Sequence, residues 1–190
     1  MRFFQVFAHR GGDFKRKKIL PNSLRAFEDS YAIGADGVET DICFSQDREP
    51  IICHPGLLSP DPPQLTWTEI RRRYPFVPHF NDLLDYLARR PFLSCFLDLK
   101  INSEELVEKI CNNILETRLA DKIFLTTPKK RVRAAGLTAD GKLLKFAQKY
   151  SQAKSNGRGR IKTHVIDIWP VNMAKTAEKF EPDVISFGWL

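Results

Sequence analysis

The chain has 190 residues, enough for one domain with a substantial core but short for a complete eight-stranded α/β barrel. Hydrophobic residues make up 43% and charged residues 28%, with 14 phenylalanines as bulky core material, which excludes a wholly disordered chain or an array of short repeats. A formal charge of +7 favours an anionic partner (a phosphate-bearing substrate, nucleic acid or an anionic membrane surface) without choosing among them.

The opening MRFFQVFAHRGG has neither the apolar length nor the small-residue cleavage site of a signal peptide, and no stretch is long enough to span a bilayer. Phe3 to Ala8 is a compact apolar run and is predicted to be a buried strand. Basic residues follow at Lys15 to Lys18 and recur at Lys129, Lys130, Arg131 and Arg133, then at Lys154, Arg158, Arg160 and Lys162. No recognisable nucleic-acid motif accompanies them and aromatics are not interleaved with them, so no nucleic-acid partner is expected.

Asn22 or Ser23 can cap a helix whose apolar face carries Leu24, Phe27 and Tyr31, with Gly34 near its end. Gly37 to Phe44 is the next predicted strand, followed by the polar turn SQDRE and a third strand over Pro50 to His54. The proline-rich PGLLSPDPPQL is a loop. Helical patterns come next around Trp67 to Arg73 and Asn81 to Arg89, then a fourth strand over Phe92 to Leu99.

Residues 103–118 carry the clearest helical period, with Leu106, Val107, Ile110, Cys111, Ile114 and Leu115 on one side. Further strands are predicted over Lys122 to Thr126, His164 to Trp169 and Asp183 to Phe187. Residues 127–160 are the weak zone: one helix over Lys142 to Tyr150, a flexible basic stretch SQAKSNGRGR, and a poor strand candidate at Val132 to Leu137. Seven strands alternating with helices predict a parallel α/β fold, a small TIM-type barrel incomplete or rebuilt around its sixth strand, as a single domain over residues 1–190.

Each of four early strands has an apolar body and an ionisable end: His9-Arg10, Glu39-x-Asp41, His54 and Asp98-x-Lys100. Residues two apart on a strand share a face, so Glu39 points with Asp41 and Asp98 with Lys100. In a parallel barrel that face is the interior, and active sites lie at its C-terminal mouth. Three carboxylates gathered there are severely unfavourable unless a cation compensates them. Oxygen ligands favour Mg²⁺ or Ca²⁺ over zinc, and such a cation can neutralise charge on a phosphoryl oxygen. Arg10 and Lys100 add positive charge for the same phosphate, while His9 and His54 suit proton transfer near neutral pH, one as base and one as acid.

Cys43, Cys53, Cys95 and Cys111 lie in apolar surroundings without metal-site spacing and are expected to be buried free thiols in a reducing cytoplasm.

The same residues resemble the glycerophosphodiester phosphodiesterase family. AHRGG (8–12), PNSLRAFEDSYAIGADGVETDI (21–42) and IICHPG (51–56) look like the family's opening HRG, its N-[TS]-x-x-A-F helix, its G-A-D-x-x-E-x-D strand and its following histidine. VPHFNDLL (77–84), FLDLK (96–100), IWPVN (168–172) and DVISF (183–187) are similar to its later segments.

The resemblance implies a TIM barrel that hydrolyses glycerophosphodiesters, small-molecule substrates, to glycerol 3-phosphate and an alcohol. It implies His9 and His54 as the acid/base pair and Glu39, Asp41 and Asp98 as metal ligands. Arg10 and Lys100 would lie at the phosphate, and Trp169 would line the substrate pocket. It also implies that a glycerol hydroxyl can attack phosphorus first, giving a cyclic phosphate that water opens.

Three positions depart from the family pattern. Pro21 stands for a glutamate, Pro55 for an aspartate after the second histidine, and Asp98 for a glutamate. Two other functions compete with hydrolysis of glycerophosphodiesters: a lysophospholipase D-like reaction on the same barrel, and a catalytically degenerate protein that binds a phosphate ester.

Overall fold

A computed structural model of the protein describes residues 5–12, 19–128, 141–155, 160–167, 177–179 and 181–187. The chain divides into two compact units, Met1–Leu97 and Asp98–Leu190.

The first unit opens with β1 (Phe7–His9) and α1 (Leu24–Ala32), then β2 (Gly37–Phe44) and β3 (Pro50–Ile52). A 3-10 turn (Pro62–Gln64), α2 (Trp67–Arg73) and α3 (Phe80–Ala88) follow, and β4 (Ser94–Leu99) begins in this unit and ends in the next. β1 runs parallel to the first half of β2, bringing His9 level with Glu39. β4 is the next strand beyond β2, and its first residue is tied to the chain just before β2 by Ser94 N–H to Asp36 O at 3.1 Å.

β3 corrects the sequence reading. It pairs antiparallel to the last half of β2, with Ile42 opposite Ile52 and Phe44 opposite Pro50. The connection from Ser45 to Glu49 is far too short for a parallel crossover, which takes a dozen or more residues. Ser45 closes the turn instead, its hydroxyl donating to Asp47 Oδ1 at 2.6 Å and accepting the Glu49 N–H at 2.9 Å.

Local chemistry sets where the helices start. Ser23, not Asn22, caps α1 by accepting the Ala26 N–H. Thr66 and Glu69 form a reciprocal capping box on α2. His79 caps α3 through its side chain and Asp82 returns the bond to the His79 N–H, so the helix begins directly after Pro78-His79. Phe27, Ile42, Phe80, Leu83, Leu84 and Leu87 are essentially inaccessible and form this unit's core. Each contributes about 1.5–3 kcal/mol on burial, which outweighs the weak helix propensity of Asn81, Asp82 and Asp85 along α3. A second cluster of Cys43, Ile51, Cys53, Leu58, Leu65, Ile70 and Val77 packs beneath the loop that follows His54.

The second unit holds α4 (Glu104–Glu116), β5 (Ile123–Pro128), α5 (Gly141–Lys154), β6 (Lys162–Asp167) and β7 (Val184–Phe187). β5, β6 and β7 pair in parallel, with Thr126, His164 and Val184 in one row. α4 buries Val107, Ile110, Cys111 and Ile114, the expected stripe, and leaves Leu106 and Leu115 half-exposed at its margins. α5 continues through Lys154, so the first four residues of the stretch expected to be flexible are helical. Ser151 anchors them: it is fully buried, and its hydroxyl accepts the Ile161 N–H at 3.1 Å.

Seven strands lie among the described residues. The poor strand candidate at Val132 to Leu137 falls outside them. No helix among them is long and apolar enough to cross a membrane. All four cysteines are buried free thiols.

Candidate active site

β1 is short and ends at His9 because the chain turns sharply there. Arg10 has φ +52°, Gly11 φ +86° and Gly12 φ +105°. The Gly11 N–H donates to Ala8 O at 3.1 Å and the Gly12 N–H to His9 O at 2.9 Å. A Cβ at Gly11 would lie 2.6 Å from Ala26 Cβ, so only glycine lets this turn rest on α1. Ser30 of α1 completes the seat by donating its hydroxyl to Gly11 O at 2.5 Å.

That turn puts both leading residues against β2. The His9 ring is largely exposed, 71% for its side chain, and its Nε2 lies 3.6 Å from Glu39 Oε2. The Arg10 backbone N–H donates to Glu39 O at 2.8 Å and reaches Glu39 Oε2 at 3.3 Å. Arg10 Nε lies 3.0 Å from Asp41 Oδ2. Asp41 is only 1% exposed, so this pairing compensates a carboxylate that has lost nearly all its hydration.

Asn22 is a site residue the sequence reading missed. It is 1% exposed and has φ +58°, a conformation asparagine tolerates better than most residues. Its Nδ2 donates to Asp41 Oδ2 at 3.0 Å, while its Oδ1 accepts the Thr40 hydroxyl at 2.8 Å and the Asp41 N–H at 3.4 Å. The available signal was Asn22 itself, which is redundant as a cap when Ser23 follows it.

His54 follows β3, where the Cys53 N–H donates to Asp41 O at 3.0 Å. The antiparallel hairpin therefore brings the second histidine back beside the strand that carries Glu39 and Asp41. Its Nδ1 lies 2.5 Å from Pro55 O. A carbonyl only accepts, so Nδ1 carries a proton, and the ring in its neutral form presents the Nε2 lone pair.

Asp98 is the next residue after Leu97 on β4, 6% exposed, and its carboxylate is paired with the Lys100 ammonium. Within the first unit, burial pushes the Cys95 thiol of β4 upward, with a further contribution from the Glu39 charge. Glu39 and Asp41 lie in the middle of β2 rather than at its end, because the strand runs on into the hairpin with β3. Trp169, the expected pocket residue, lies outside the described residues.

Residues 9–81 match the model of the Glycerophosphoryl diester phosphodiesterase family. No curated protein sequence matches the chain. Among solved structures, the chain is similar to a protein of Silicibacter pomeroyi DSS-3 assigned as a glycerophosphoryl diester phosphodiesterase, with 17% identity, 95% of this chain and 73% of that one covered, and a TM-score of 0.70. A protein of Galdieria sulphuraria assigned as a glycerophosphodiester phosphodiesterase gives 14% identity, 96% and 74% coverage, and a TM-score of 0.74. A phosphodiesterase of Oleispira antarctica, solved in complex with the product sn-glycerol-3-phosphate, gives 18%, 95% and 73% coverage, and 0.60. At these identities the likeness shows the fold, the TIM-type α/β class, with seven strands among the described residues where a complete barrel has eight.

Proposed function

From a chain whose residues 9–81 match the model of the glycerophosphoryl diester phosphodiesterase family, we propose that this protein is a metal-dependent hydrolase cleaving glycerophosphodiesters to glycerol 3-phosphate and an alcohol. The observation that carries this reading is the joining of His9, Arg10, Glu39, Asp41 and His54 around β2. The His9 ring and the Arg10 guanidinium lie beside the two carboxylates, and the Cys53 N–H ties the chain just before His54 to Asp41 O.

Glu39, Asp41 and Asp98 would hold the divalent cation, Mg²⁺ or Ca²⁺. The donor set fits: all three offer hard carboxylate oxygens, and Asp41 and Asp98 are almost fully buried. A cation there offsets the charge that builds on the phosphoryl oxygens during attack.

The chain's own side chains supply the rest. Arg10, held against Asp41, orients a phosphate oxygen, and Lys100 adds positive charge on the side of Asp98. His54 Nε2 takes the proton of the attacking water or glycerol hydroxyl, whose oxygen bonds to phosphorus; the hydroxyl route gives a cyclic phosphate that water must then open. The bond from phosphorus to the alcohol oxygen then breaks, and His9 protonates that oxygen as it leaves. Residues 1–190 work as a single catalytic domain in the cytoplasm, a reading that four free cysteines suit.

Incubation with glycerophosphocholine, followed by separation of the products, tests which bond breaks. Free choline with glycerol 3-phosphate is the expected pair. Phosphocholine with glycerol would mean a different alignment of the phosphodiester, and intact substrate would remove the hydrolase reading.

A further inference from the structure

We infer that Asp61 is a positioning residue for His54 and acts on it through the peptide bond between Pro55 and Gly56; the inference rests on the assignment of His54 to proton transfer. His54, Pro55, Gly56 and Leu57 form a tight turn in which the Leu57 N–H donates to His54 O at 3.1 Å. Proline at the second position and Gly56 at φ +84° in the third make it a type II turn. In that turn type the central peptide is flipped relative to type I, and the flip decides where its two polar groups point. Its carbonyl, Pro55 O, lies 2.5 Å from His54 Nδ1. Its N–H, on Gly56, donates to Asp61 Oδ1 at 2.6 Å.

The three groups therefore form one chain of hydrogen bonds: carboxylate, peptide, imidazole. A negative charge on the N–H side of an amide draws electron density onto its carbonyl, and linked hydrogen bonds strengthen each other. Pro55 O thus becomes a better acceptor, the Nδ1–H tautomer of His54 is favoured, and Nε2 keeps its lone pair for the substrate. A carboxylate bonded directly to a histidine does the same work; here it stands seven residues downstream and works at one peptide's remove. Pro55 assists, since its ring fixes φ and leaves the turn few alternatives.

Gly56 gives a clean handle. A Cβ there would meet nothing within 4 Å, so an alanine loses no packing, yet an L-residue resists φ +84°. Gly56→Ala pushes the turn toward the unflipped form, which takes Pro55 O away from the ring. Gly56→Asn tolerates the left-handed region and restores it. Asp61→Asn keeps an oxygen for the Gly56 N–H and drops the charge, whereas Asp61→Ala removes both.

The deciding experiment is ¹⁵N NMR of the imidazole nitrogens in the full chain, with His54 assigned by comparison with His54→Gln and with its neutral form compared among variants. The expected result is a dominant Nδ1–H form in the unsubstituted protein, a clear gain of the Nε2–H form in Asp61→Ala and Gly56→Ala, and recovery in Gly56→Asn. With glycerophosphocholine, kcat should fall about tenfold in Asp61→Ala while KM stays within about twofold, as expected when an orienting partner is lost. An unchanged tautomer balance in both Asp61→Ala and Gly56→Ala overturns the inference, whatever the rates do. The spectra need no turnover, so an inactive protein would refute the hydrolase reading while leaving this test intact.

Discussion

Asn22 Nδ2 donates to Asp41 Oδ2 at 3.0 Å, and both side chains are only 1% exposed. The same carboxylate oxygen meets Arg10 Nε at 3.0 Å, so the turn after β1, the start of α1 and the middle of β2 converge on one atom. Asn22→Ala leaves buried acceptors and a buried carboxylate undersatisfied. The expected cost is about 2–3 kcal/mol in urea unfolding, with weaker Mg²⁺ or Ca²⁺ binding by titration calorimetry. Asn22→Asp should be worse than alanine for stability in the absence of metal, because it sets a second carboxylate against Asp41.

Gly11 carries the turn that delivers His9 and Arg10. Gly11→Ala meets Ala26 Cβ at 2.6 Å and must also hold φ +86°. The conformation alone costs about 1–3 kcal/mol and the overlap adds to it. A lowered Tm together with loss of hydrolysis is expected. Wild-type stability in this variant would show that the turn is not held against α1.

His164 gives the second unit an acid-sensitive element. It is 3% exposed, its Nδ1 lies 3.2 Å from Thr126 Oγ1, and burial pulls its pKa down to about 4. The unfolded chain's histidine takes up a proton below about 6.5 while the folded one stays neutral down to about 4. The unfolded state therefore binds more protons in that window, and stability falls as pH drops through it, by up to ~3 kcal/mol. Above about 6.5 and below about 4 this group adds no slope. Urea midpoints measured from pH 7.5 to 4 should show the decline, and His164→Gln should flatten the part of it that lies in this window.

Much of the candidate site was legible in the chain because its residues sit close together in sequence. The polar pairs at 9–10, 39–41 and 98–100 interrupt apolar strands, and alternation along a strand fixes which residues share a face. The direction of β3 is not carried by its apolar run, which reads the same either way, but by the five-residue connection from Ser45 to Glu49, too short for a parallel crossover. Asn22 read as a helix cap because capping and left-handed turn residues are drawn from the same small set. Pro55 stands where the family pattern has an aspartate after the histidine, yet backbone groups can substitute for side chains, and no residue pattern announces a flipped peptide.

Substituting the two histidines separates their roles. His54→Ala and His9→Ala should each lower kcat by about 10²–10⁴, the usual worth of a positioned acid or base. With an activated alcohol as leaving group, His9→Ala should recover most of its rate and His54→Ala should not, because only the acid becomes dispensable. Equal recovery in both variants would reverse or erase that assignment.

The most direct measurement is the initial rate of glycerophosphocholine hydrolysis by the whole protein after EDTA treatment, then after return of Mg²⁺ or Ca²⁺, beside His9→Ala carried through the same steps. Release of glycerol 3-phosphate that stops with EDTA, returns with one of the two cations and is lost in His9→Ala is the expected result. Folded protein that releases none with either cation, or that hydrolyses equally well in EDTA, would contradict a metal-dependent glycerophosphodiesterase built on His9, Glu39, Asp41, His54 and Asp98.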